Sequence, residues 1–135
     1  MNKCLIYFKL TGDFDPNEVT EAVSLSPTSA SVRGSINSIN VIPRTSIWEY
    51  GLDQIEADNI DIYNLCSELI SMLAVSRDEF KVIRQKLKLE AVLQIVLWID
   101  CCDTLSLPSF GLEEEVVMFL AYVGATVDVD LYKYS

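Results

Sequence analysis

At 135 residues, half of them hydrophobic, the chain fits one domain with a sizeable core and is excluded from the globally disordered class. Twenty acidic against ten basic residues give a net charge of −10, which repels phosphate backbones and anionic bilayers and favours a cationic partner. The absence of histidine excludes Ser-His and Cys-His nucleophile systems, and no apolar run reaches the ~20 residues of a membrane-spanning helix.

Lys3 to Leu10 alternates Cys4, Ile6, Phe8 and Leu10 against Lys3, Leu5, Tyr7 and Lys9, which predicts a first strand. The alternation with Lys9 and the lack of a small-residue cleavage site before Asp13 argue against a signal peptide, so a cytoplasmic protein is expected. Asp15 then reads as an N-cap, with Pro16 at the first helical position and Glu18 placed to close a capping box. That short helix runs to about Ser24, turning Val19, Ala22 and Val23 inward.

From Leu25 to Pro43 the composition shifts to serine and asparagine, and part of the stretch is expected to form either a strand or a lid, with a turn at Arg33-Gly34. Arg44 to Gly51 is the next strand, with Trp48 and Tyr50 on one side and Ile47 and Glu49 on the other. Asp58 or Asn59 is expected to cap the longest helix, whose stripe is Ile60, Tyr63, Cys66, Leu69, Ile70 and Leu73. Ser76 with Glu79 reads as a capping box for a further helix, with Phe80, Ile83 and Leu87 inside. Lys81, Arg84, Lys86 and Lys88 form a basic cluster toward its C-terminal end, where cations are stabilising for structural reasons alone.

Leu89 to Asp100, LEAVLQIVLWID, is apolar on both sides at period two and polar mainly at its ends, the pattern of a strand inside a sheet. Gly111 to Val123 reads as a helix with Glu113, Glu114 and Glu115 in its first turn and Gly124 as its stop. Thr126 to Tyr134 alternates as a half-buried closing strand. Strand, short helix, strand at the C-terminus implies a parallel pair. The expected architecture is a single α+β domain over residues 1–135: a two-layer sandwich, ferredoxin-like in spirit, with a mixed, largely antiparallel sheet and helices mainly on one face.

Chemistry is sparse. Cys4, Cys66, Cys101 and Cys102 read as reduced, mostly buried thiols, since the spacing suits neither a disulfide framework nor one metal. The carboxylate pairs Asp13 and Asp15, Asp100 and Asp103, and Asp128 and Asp130 sit at a helix start, a strand end and a solvated face. Two-carboxylate signals are weak, so no metal, cofactor or catalytic residue is expected. The five glycines build no phosphate-cradling loop.

The aromatic constellation says more. Tyr7, Trp48, Trp98 and Tyr132 are expected on the sheet face away from the main helices, rimmed by Asp100, Asp128 and Asp130. An RNA-binding sheet stacks bases on such rings, but no basic groove surrounds them. Rings with an acidic rim suit a hot spot for a cationic protein instead. The competing expectation is that residues 25–43 fold over these rings as a second small core.

Several landmarks then stand together: Asp15-Pro16, Pro27-Thr28, the Arg33-Gly34 turn, Trp48, and the closing Asp130-Leu131-Tyr132. On these the chain resembles, over nearly its whole length, the bacterial domain-of-unknown-function family 4279 (DUF4279). The resemblance carries no enzymatic role. It implies a protein of the kind met beside polymorphic or contact-dependent toxins, an immunity protein that binds and neutralises a cognate toxin, a basic nuclease among the candidates. The alternative is a small enzyme or ligand-binding domain with a pocket between the sheet and the 25–43 loop.

Overall fold

The computed structural model describes residues 1–34 and 45–134. Its elements are β1 (Asn2–Gly12), α1 (Pro16–Val23), β2 (Ser29–Ser31), β3 (Ser46–Gly51), β4 (Ile55–Ala57), α2 (Ile62–Leu73), a 3-10 turn (Ala74–Ser76), α3 (Arg77–Leu87), β5 (Glu90–Asp100), α4 (Glu114–Val123) and β6 (Thr126–Tyr134). The strands form one six-stranded sheet in the order β2-β3-β1-β5-β6. β3 and β4 lie in line along one edge of β1, against residues 7–12 and 2–4, and β5 runs along the other edge over residues 3–11. These pairings are antiparallel, and the β5–β6 pair is parallel, as the short helical crossover requires. The protein is α+β, with sheet and helices in layers.

One face of the sheet is buried. Cys4, Ile6, Phe8 and Leu10 of β1 join Ala91, Leu93, Ile95 and Leu97 of β5 in a core that all four α-helices enter, among them Val19, Leu69, Ile83 and Val116. At its centre Phe80 meets Phe8, Trp48 and Phe119 edge-on, with ring centroids 5.5, 5.6 and 6.3 Å away. Edge-to-face pairs add about 0.5–1.5 kcal/mol each beyond the area they bury.

Caps explain most of the boundaries. Asp15 accepts from Asn17 N at 3.0 Å, and Pro16 opens α1. Gly124, at φ +85°, stops α4. Three expectations need correction. α2 begins at Ile62 with Asp61 as N-cap, because Asp61 is held extended by the backbone bonds that Ile60 O and Ile62 N, on either side of it, make to Ser109 at 2.9 and 2.8 Å. Ser76 does not cap α3: its hydroxyl donates to Val23 O at 2.7 Å, tying the two helices together. α4 starts at Glu114 rather than Gly111, leaving residues 111–113 as its lead-in.

Within the 25–43 stretch, Ser29–Ser31 is a strand paired to β3 and Arg33-Gly34 is a turn; residues 35–43 lie outside the described residues. Two members of the basic cluster, Arg84 and Lys81, tie α3 to α4. Arg84 Nε donates to Val123 O at the end of α4, and Lys81 Nζ sits 4.3 Å from the Tyr122 ring centroid. Cys4 and Cys66 are buried, but Cys101 and Cys102 are exposed, because β5 ends at Asp100 and the chain leaves the sheet there.

Candidate functional site

Trp48 does not lie with the other rings. It is fully buried on the helix side, since it pairs across the β1–β3 ladder with Leu10, which faces the helices. Its indole N–H donates to Thr20 Oγ1 at 3.1 Å. The expected alternation of β3 was right about which residues share a side, and the pairing partner decides which side is inward.

The remaining predicted residues, Tyr7, Trp98, Asp100, Asp128, Asp130 and Tyr132, share the opposite face. The registers align them in rows across β1, β5 and β6: Tyr7–Gln94–Asp128, Leu5–Val96–Asp130 and Lys3–Trp98–Tyr132, with Asp100 beside Tyr134 at the end. Directly opposed residues of a ladder point to one side, so each row is a set of neighbours. Trp98 and Tyr132 stack with centroids 5.9 Å apart and planes at 21°. Tyr132 is 52% exposed and Trp98 is half-buried beneath it.

Gln94 is the one residue here that sequence reasoning missed and the geometry makes central. It is 2% exposed, and its Nε2 donates to Asp128 O at 3.3 Å and Asp130 Oδ2 at 3.2 Å, fixing the outer strand to β5. Its signal was visible as the polar residue at the middle of LEAVLQIVLWID, away from Glu90 and Asp100 near the ends. Burial raises the Tyr7 phenol above its ordinary pKa, and the carboxylates of Glu49, Asp130 and Asp128 push it the same way. Burial also raises Glu49, while Lys9 acts in the opposite direction.

Asp100 is committed to structure. Its backbone N–H donates to Asn2 Oδ1 at 2.8 Å, and its carboxylate accepts from Cys102 N at 3.0 Å and from the Met1 amine at 2.8 Å. The amine and Cys102 N–H hold its carboxyl below the usual pKa. Asp128 and Asp130, by contrast, are exposed and form no ion pair among the described residues. Among those residues no three His, Cys, Asp or Glu side chains converge as metal ligands. Nor is any described helix long and apolar enough to cross a membrane.

A family model, domain of unknown function DUF4279, matches residues 2–134. The chain belongs to that family. No curated protein and no solved structure matches it. For this DUF4279 domain the site therefore rests on its own geometry: a half-open sheet face where a stacked aromatic pair adjoins two exposed carboxylates.

Proposed function

We propose that this protein is a non-enzymatic binding module that captures and neutralises a cationic protein toxin, acting as an immunity protein in the cytoplasm. The observation that carries this reading is the Trp98–Tyr132 stack beside exposed Asp128 and Asp130, on a chain of net charge −10. Partly exposed aromatic rings supply hot-spot area, and carboxylates at the rim steer a basic partner toward them. Against a nuclease, such carboxylates occupy the positions where its basic groove holds phosphates.

Association kinetics with a cationic toxin encoded beside this gene test the reading. The on-rate is expected to fall as salt rises, since the Debye length shrinks to ~8 Å at 0.15 M. Asp128→Asn with Asp130→Asn is expected to lower the on-rate at low salt while the fold is unchanged. An on-rate indifferent to both salt and substitution overturns the electrostatic mechanism.

A second reading, a small-ligand domain, draws on a different feature. A groove of about 720 Å³ runs between α2 and α4, lined by Ile70, Ala74, Met118 and Phe119 with Arg77 and Tyr122 at its polar side. It lies in the helix layer, not between the sheet and the 25–43 stretch. A metabolite retained through purification and displaced by Ala74→Trp would favour it.

A further inference from the structure

β6 is an edge strand of nine residues with no strand on its outer side among the described residues. Cys101 N donates to Tyr134 O at 2.9 Å, so the even-numbered residues of β6 turn their backbone groups toward β5. By the alternation of an extended strand, Val127, Val129, Leu131 and Lys133 turn theirs outward. Proteins usually blunt such an edge by shortening it, breaking it with proline, covering it or charging it, and of these devices β6 carries charge, at Asp128, Asp130 and Lys133. This one is long and free of proline. Its flanks are open as well: Val127 is 39% and Leu131 62% exposed on the helix side, opposite Tyr132 on the other.

We infer that β6 is a pairing edge that accepts an extended cationic segment of a partner protein as a seventh strand. Charge selects the occupant. Asp128 and Asp130 project from the same side of β6, and strand addition places the partner's alternate side chains directly beside them. A segment alternating lysine or arginine with apolar residues sets its cations against these carboxylates and its apolar residues beside Val127 and Leu131. A second copy of this chain fits poorly. Full antiparallel overlap of β6 with itself sets Asp130 against Asp130, and a shift one way sets Asp128 against Asp130, where like charges directly opposed are destabilising; the opposite shift sets Asp130 against Tyr132 and Asp128 against Tyr134, leaving both carboxylates without a cation. This inference rests on the cationic-partner reading above and specifies its mode of recognition.

The test is amide hydrogen exchange of the whole chain, followed residue by residue, during titration with an N-acetylated peptide alternating valine and lysine. A valine–glutamate peptide is the control. At saturation the amides of Val127, Val129, Leu131 and Lys133 are expected to exchange at least about tenfold more slowly, with the control inert. Leu131→Pro removes one outward N–H and leaves the ladder to β5 intact, so it is expected to weaken binding about tenfold. Leu131→Ala keeps the N–H and is expected to weaken it far less. If Leu131→Pro does not fold, the exchange pattern of the unaltered chain decides the matter alone. Failure of the peptide to bind, equal binding of the two peptides, or equal loss in the two variants overturns the inference. So does protection of the four amides by self-association alone. A toxin bound with charge-steered kinetics but with the four amides unprotected removes the edge mode and keeps neutralisation. Peptide pairing without any charge-steered toxin does the reverse.

Discussion

The indole N–H of Trp48 on β3 donates to the hydroxyl of Thr20 on α1 at 3.1 Å, giving the largest fully buried side chain a partner for its one polar atom. Burial of the ring and satisfaction of the N–H are separable contributions. Trp48→Ala is expected to cost about 3–5 kcal/mol, as for other truncations of buried tryptophan. Thr20→Val keeps the shape but strands a buried donor and is expected to cost about 1–3 kcal/mol. Urea denaturation of both variants checks the order, and a Thr20→Val loss near zero would mean that the N–H finds another acceptor.

Trp98 is the other tryptophan, and its half-buried stack on Tyr132 sets a smaller scale. Trp98→Ala is expected to cost about 1–2 kcal/mol, well under the Trp48 truncation. A double-mutant cycle with Tyr132→Ala isolates the stack, with an expected coupling of about 0.5–1.5 kcal/mol. A Trp98 loss equal to that of Trp48 would place the ring in a closed second core.

Gly51 ends β3 against the middle of β1. A Cβ there would stand 2.6 Å from the Tyr7 Cβ and 2.8 Å from Ile6 O, and the carbonyl is backbone with little room to yield. Gly51→Ala is expected to destabilise by about 1–3 kcal/mol through forced separation of the two strands. Thermal unfolding reads it, and an unchanged midpoint would show that the strands part without cost.

The cysteines divide into two chemical classes. Burial pushes the Cys4 thiol up to about 12 and the Cys66 thiol up to about 11, so both stay protonated in the folded state near neutral pH. The unfolded chain ionises these thiols first, near the ordinary thiol value of 9.0. Their contribution to stability is therefore present below that pH and is lost as pH rises from it toward 11 and 12. Cys102 behaves oppositely: the Thr104 hydroxyl, 3.1 Å from its sulfur, and the Thr104 backbone lower its pKa. Iodoacetamide at about pH 8 is expected to label Cys101 and Cys102 in the native protein and all four thiols in denaturant. Thr104→Val is expected to slow labelling of Cys102, and an unchanged rate would remove Thr104 from its activation.

Period-two and helical spacing made the long elements legible in the chain itself. The alternation of β1, β5 and β6, the Asp15-Pro16 start of α1 and the Gly124 stop are local properties, fixed by backbone sterics and caps. The parallel β5–β6 pair followed too, because a helix between two strands cannot return the chain as a hairpin. What the tertiary structure alone decided were choices between locally equivalent options. Trp48 and Tyr50 had to share a side, but both sides of β3 carry bulky residues, and only pairing of Trp48 with Leu10 turned that side to the helices. Three-residue β4 has too little pattern to read, and exists because β1 offers a free edge at residues 2–4. The N-cap of α2 moved to Asp61 because Ser109, far along the chain, bonds the backbone of Ile60 and Ile62 and so holds Asp61 between them extended. Gln94, an oddity in an apolar run, became the tie that holds the acidic outer strand, since only the assembled sheet brings Asp128 and Asp130 within reach of its amide.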